Sequence, residues 1–223
     1  MPVTERVPVA LGLQAPPWMA EAPARTLLRG QLLWRAGDAA LKFSWIESGL
    51  AKIVHTGVEG NEAIYGLFGP GDDLGVAAVL EHAHYPADAV AASTRLVVRQ
   101  NLAAPILAAA ATDLALGNAM RDALLSHTRV LRQTIEIFSA GAVPRRLATL
   151  LLTLGERFGA QPIRAGRLLV PLRLSRAELA ALVGARVETI IRIMSRWQRE
   201  ARVVTLPSGF LMRVESLRSI VQH

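Results

Sequence analysis

The sequence predicts an α+β protein built from three consecutive parts: an antiparallel β-roll, a long helix, and a small helical domain ending in a hairpin. Three observations carry this reading. Between Arg25 and about Gln100, short apolar runs alternate with glycine- and aspartate-rich turns. From about Asp113 to Ser139 the apolar residues step by four and three. From Leu174 to Glu200 two short amphipathic helices flank a glycine.

In chain order, residues 1–24 form a poorly defined lead-in broken by Ala15-Pro16-Pro17, with a short helix over Trp18–Ala22. Strands are expected at Thr26–Arg29, Leu32–Arg35, Phe43–Glu47, Leu50–His55, Ala63–Phe68, Ala87–Ala92 and Arg95–Gln100. The turns between them are Gly30, Gly37-Asp38, Ser48-Gly49, Gly57 to Gly60 and Gly69-Pro70-Gly71-Asp72. Short strands at this spacing imply an antiparallel sandwich or roll.

The long helix carries two apolar stripes. Met120, Leu124, His127, Leu131, Thr134 and Phe138 form a short heptad seam suited to a second chain. Leu116, Ala123, Val130 and Ile137 form a stripe suited to the roll. Ser139-Ala140-Gly141-Ala142 is small and flexible and reads as a hinge. Pro144 fits the first turn of the next helix, where its missing N–H costs nothing. The resulting division is 1–112 for the roll, 113–140 for the dimerisation helix, 141–143 for the hinge and 144–223 for the last domain.

In that domain Ser175 and Glu178 make a capping-box pattern that starts one helix. Gly184 permits the turn. In the second helix Val187, Ile190, Met194 and Trp197 fall on a core face. Arg186, Glu188, Thr189, Arg192, Arg196 and Arg199 remain for the other faces. Such a polar, arginine-rich second helix is the plan of a helix-turn-helix that enters the DNA major groove. Arg202–Leu206 and Phe210–Val214, joined by Pro207-Ser208-Gly209, read as a hairpin, and Ser216–Val221 as a terminal helix.

Charge follows the same division. Residues 144–223 hold 14 arginines, no lysine and five acidic residues, a net of +9, whereas residues 1–143 carry a net of −2. Positive charge concentrated on one domain attracts phosphate backbones. The absence of cysteine excludes disulfides, thiolate-bound clusters and cysteine zinc sites. No apolar run reaches the roughly 18 residues of a membrane span. The first residues lack the basic start and apolar stretch of a secretion signal. A cytoplasmic protein without membrane contact is expected.

The stretches GDAALKFSWIESGLAKI, EGNEAIYGLFGPGDDLG and HYPADAVAAS resemble the β-roll of the Crp/Fnr family, the catabolite activators and fumarate–nitrate regulators. V-E-T-I-x-R resembles that family's reader helix, and the order of parts agrees from about Arg25 onward. The resemblance implies a cyclic-nucleotide-binding-like jelly roll, a dimerisation helix and a winged helix-turn-helix. It implies a homodimeric regulator on inverted-repeat double-stranded DNA with a TGA-type core, acting with RNA polymerase. It implies a protein that is not an enzyme, and no catalytic constellation stands out in the sequence.

By this resemblance Glu188 and Arg192 read bases. Arg bonds guanine O6 and N7, and Glu accepts from cytosine N4. Ile191 stands where fumarate–nitrate relatives carry a serine; it either meets a thymine methyl or turns into the core. Ser175, Arg176, Arg186 and Thr189 are candidate phosphate contacts. The effector pocket falls on Gly75, Val76, Pro86, Ala87, Leu131 and Arg132. Cyclic-AMP-binding members have Gly-Glu, Arg-Ser and Thr-Ser at these three pairs, so the groups for the sugar hydroxyl, the phosphate and the base are replaced. Cyclic AMP is therefore not the expected effector. No metal or cofactor is expected. Two other readings stand beside this one. His82 or His84 could ligate haem in a gas-sensing regulator, as the resemblance to carbon-monoxide sensors implies. Alternatively, the helix-turn-helix serves protein contacts in a ligand-binding or scaffold protein.

Overall fold

The computed structural model describes residues 14–57, 62–159 and 166–222. The expected lead-in up to residue 13 and most of the Gly57–Gly60 turn lie outside the described residues. The chain divides into two compact units, one ending at Leu131 and the other starting at Arg132.

The first unit is a roll of two four-stranded antiparallel sheets. Its strands are β1 (Ala24–Leu28), β2 (Leu32–Trp34), β3 (Lys42–Ser48), β4 (Ala51–Thr56), β5 (Glu62–Phe68), β6 (Asp73–Leu74), β7 (Asp88–Ala91) and β8 (Arg95–Leu102). One sheet has the order β1-β8-β3-β6 and the other β2-β7-β4-β5. All seven expected strands are present with ends shifted by one or two residues. The dipeptide strand β6 and helix α1 (Val76–Leu80) were not expected from the sequence. Both are too short to carry a period of their own. The lead-in helix is confined to a single 3₁₀ turn, Pro17–Met19, rather than Trp18–Ala22. Apolar side chains from both sheets, among them Leu27, Phe43, Ile46, Phe68, Leu74 and Leu96, are almost wholly buried between them.

Helix α2 (Ala103–Ala110) leads to α3 (Leu114–Ser139), whose first turn is held by the Leu116 N–H donating to Asp113 Oδ1 at 3.0 Å. Met120, Ala123 and Val130 belong to the roll's core, with Leu116 and Leu124 packed against it. The stripe read as facing the roll does so over 116–130.

The second unit takes in the last turns of α3 and then α4 (Val143–Phe158), β9 (Arg167–Val170), α5 (Arg176–Val183), α6 (Val187–Arg199), β10 (Val203–Leu206), β11 (Gly209–Arg213) and α7 (Val214–Gln222). The expected hairpin is β10–β11, and β9 adds a third antiparallel strand in the order β10-β11-β9. Pro144 lies in the first turn of α4. Leu147, Leu151, Leu179, Ile190, Met194 and Trp197 are buried to 1% exposure or less. Truncating a buried Trp such as Trp197 to Ala costs about 3–5 kcal/mol. On α6 the core face also includes Ile193 at 5% exposure, which the sequence reading left out, while Val187 is only half-buried.

Candidate nucleic-acid interface and roll cavity

The reader helix is built by its two ends. At the start of α5 the Ser175 hydroxyl accepts from the Glu178 N–H at 3.1 Å, and the Glu178 carboxylate accepts from the Ser175 N–H at 2.9 Å. This capping box fixes where α5 begins. Gly184 then ends α5 with φ +60. A Cβ there would stand 2.6 Å from Cε1 of Phe138, so both backbone and space call for glycine. Three residues later α6 starts, packed on α5 through its buried face.

The opposite face of α6 is open. Arg186, Glu188, Ile191 and Arg192 are exposed and Thr189 is half-buried. Glu188 and Arg192 make no side-chain hydrogen bond or ion pair among the described residues. Four positions apart on one helix, they share a face. Ile191, 47% exposed, does not turn into the core. This leaves the thymine-methyl alternative for its side chain.

The flanking groups differ in availability. The Ser175 oxygen is engaged as the cap, which leaves its O–H for donation. Arg176 donates from Nη2 to Thr205 Oγ1 on β10 at 2.9 Å, tying the start of α5 to the β10–β11 hairpin. Burial lowers its pKa below the ordinary guanidinium value.

The roll contains a cavity of about 350 Å³. Trp34, Phe68, Ala78, Tyr85 and Ala87 form its buried wall, and Glu81, His84 and Pro86 are exposed at its rim. Gly75, Pro86, Ala87 and Leu131 of the expected pocket line it. Val76 does not: it is 1% exposed and its side chain belongs to the core. Arg132 does not either; it is exposed on α3 and lies 3.9 Å from Glu136. Sequence reasoning missed the aromatic wall, because its members are scattered over two strands, a short helix and a loop and carry no spacing signal.

Gly75 adopts φ +74, and a Cβ there would meet Tyr85 Cε1 at 2.7 Å and Trp34 Cη2 at 3.2 Å. The glycine lets the α1 start approach the stacked Trp34–Tyr85 pair, whose centroids are 4.0 Å apart. Of the two loop histidines, His84 lines the cavity, whereas His82 is exposed with φ +52 and does not. His127 lines it too, stacked on Phe68 at 5.6 Å; burial is the larger cause of its lowered pKa.

The outward face of α3 differs from the expected seam. Met120 is 7% exposed in the roll core, and His127 faces the cavity, so neither is free for a second chain. Leu131, Ile135 and Phe138 are 40%, 65% and 41% exposed. With half-buried Leu124 and exposed Thr128 they restore a four-three spacing, shifted by one residue at two positions of the expected seam. The helix must bury its other side on the roll, and this rotates the seam.

Residues 24–103 match the family model of the cyclic nucleotide-binding domain, and residues 145–218 that of the Crp-like helix-turn-helix domain. The chain is 27% identical to the transcriptional activator protein FnrA of Stutzerimonas stutzeri, over 78% of this chain and 70% of that one. It is 28% identical to the transcriptional activator protein Anr of Pseudomonas protegens, with the same coverage. Its fold is that of FixK2 from Bradyrhizobium japonicum, at TM-score 0.75, 18% identity and coverage of 89% of this chain and 96% of that one. It is also that of the transcriptional regulator TTHB099 from Thermus thermophilus, at TM-score 0.74, 21% identity and coverage of 89% and 97%.

Proposed function

We propose, from the premise that the chain belongs to the Crp/Fnr family of transcription regulators and carries its DNA-binding helix-turn-helix, that it acts as a homodimer on an inverted repeat. Glu188 and Arg192 carry this reading: two charged side chains of opposite sign, exposed, unpartnered and on one face of the reader helix. They read a G·C pair in each half-site, with a TGA-type core by family resemblance, and Ile191 meets a thymine methyl. Arg186, Thr189, Arg176 and the Ser175 hydroxyl set the register on phosphates. Leu124, Thr128, Leu131, Ile135 and Phe138 form the dimer seam. The two-fold axis then spaces two reader helices about 34 Å apart, one DNA turn.

The signal enters at the roll cavity or at α3 and reorients the DNA-binding domain across the hinge at 141–143, where Gly141 has φ +83. The protein works in the cytoplasm, outside any membrane, and engages RNA polymerase as its relatives' role as activators suggests. Selection of bound DNA from a random pool tests the reading. A palindromic consensus is expected, and Arg192→Ala should erase the preference at one position of each half-site. Equal loss at every sequence, or no DNA bound at all, would replace base reading by phosphate contact or by a protein-contact role.

The haem reading rests on His84 alone at the cavity. Among the described residues no arginine or lysine lines the cavity to meet haem propionates. The residues fit haem poorly, and a colourless protein that gains no Soret band on haem addition is expected.

A further inference from the structure

The roll cavity is chemically unlike a nucleotide site. Among the described residues neither arginine nor lysine lines it, and the one charged side chain on its lining is the Glu81 carboxylate at the rim. An anion entering would meet a like charge at the mouth and find no counter-charge inside. The aromatic wall has its polar tips turned to backbone. Trp34 Nε1 donates to the Ala87 carbonyl at 3.0 Å, and the Tyr85 hydroxyl donates to the Lys42 carbonyl at 3.0 Å. Ring surface, Ile53, Ala78 and Leu131 are the apolar surface that remains for a ligand, with Tyr65, Glu81 and His84 exposed on the lining. Besides His84 at the rim, the His127 ring lines the cavity; it makes no hydrogen bond among the described residues, and because its Nδ1 is buried, Nε2 is the nitrogen left for a ligand. The volume, about 350 Å³, falls at the small end of ligand pockets.

We propose that this cavity binds a small, uncharged aromatic molecule with one hydroxyl-type group, its ring packed on Trp34, Phe68 and Tyr85 and its polar group bonded to His127. The proposal rests on the regulator reading only in calling such a molecule the effector. A ligand there touches α3 at His127 and Leu131, and Leu131 also belongs to the outward seam, so occupancy and dimer geometry share a side chain. The lowered pKa of His127 keeps its ring neutral near pH 7, with one nitrogen to donate and one to accept.

Phenol titrated into the full chain tests this, read by calorimetry and by tryptophan fluorescence. Saturable binding is expected. Benzoate and cyclic AMP should bind at least tenfold more weakly. Trp34→Phe should remove most of the fluorescence response while calorimetry still detects phenol. Ala78→Phe, which fills the space, should abolish binding, with its melting transition showing that it folds. His127→Phe keeps the ring stack on Phe68 and should weaken phenol about fivefold, the loss of one neutral hydrogen bond. Absence of saturable phenol binding, or benzoate or cyclic AMP binding as tightly as phenol, overturns the proposal. A promoter-DNA shift on the same preparation separates the outcomes. DNA binding without phenol binding removes only the ligand class. Phenol binding without DNA binding removes the regulator reading instead.

Discussion

The two units treat charge in opposite ways. On the reader helix, Glu188 and Arg192 are exposed, with no ion-pair partner among the described residues. In the roll, the cavity has lost the side chains that would hold a charged ligand, and Asp73 is 8% exposed with Oδ1 unpartnered. A domain that meets a polyanion in water keeps its charges ready, because their desolvation is repaid by the partner on binding. A closed roll has no such partner, and each buried charge there is penalised. The second unit thus keeps charged side chains on its open helix face, while the roll's cavity offers a ligand no arginine or lysine among the described residues.

The strongest way to break this contrast is at Asp73. Burial first, and then the Asp72 charge, push its pKa up to about 7. The folded protein therefore holds a proton that the unfolded chain releases near pH 4. Its stabilisation is complete below pH 4 and declines as pH rises through about 7. Urea unfolding of the roll should lose on the order of a few kcal/mol across that window, and Asp73→Asn should flatten the profile. An unchanged slope would mean that Asp73 is ionised in place.

Next in size is Arg192→Ala, expected to weaken the preferred site by about 1–3 kcal/mol, roughly 5- to 150-fold, and to relax one base position. Arg186→Ala sharpens the comparison: it should weaken all sequences alike and lower the salt slope by about one. If both variants behaved alike, the open face of α6 would be a phosphate surface only.

Gly184→Ala should destabilise the second unit by about 1–2 kcal/mol from the left-handed backbone, and more if the Phe138 ring cannot move. Thermal melting compared with DNA affinity separates loss of fold from loss of reading. The smallest effect is a gain. Ala201 has φ +52 just after α6, and Ala201→Gly should raise stability by about 1 kcal/mol. No gain would mean that the chain relaxes at this position.

Legibility in the sequence followed the length of each pattern. The strands of the roll were marked by their turns, and α5 and α6 by Ser175, Glu178, Gly184 and an apolar period. Short elements had no such marks. The strand β6 is two residues long, α1 is five, and β9 is recognisable only by pairing with β11. Within helices, periodicity gave an apolar face without saying what it meets. Met120, His127 and Leu131 all fall on the expected seam, yet the roll buries Met120 in its core, turns His127 to its cavity and leaves Leu131 40% exposed.

The sequence alone determined the order of parts, the arginine excess of the second unit, the capping box, and the pair Glu188 and Arg192 on one helical face. These are properties of neighbours along the chain, where a period of 3.6 or a fixed offset is enough. Only the tertiary structure decided that Val76 and Arg132 leave the cavity, that Ile191 stays outside, and that Trp34, Phe68, Tyr85 and His127 converge on one space. Those side chains come from segments far apart in sequence. What each one faces is set by how two sheets and a helix close over a shared core, which no local pattern encodes.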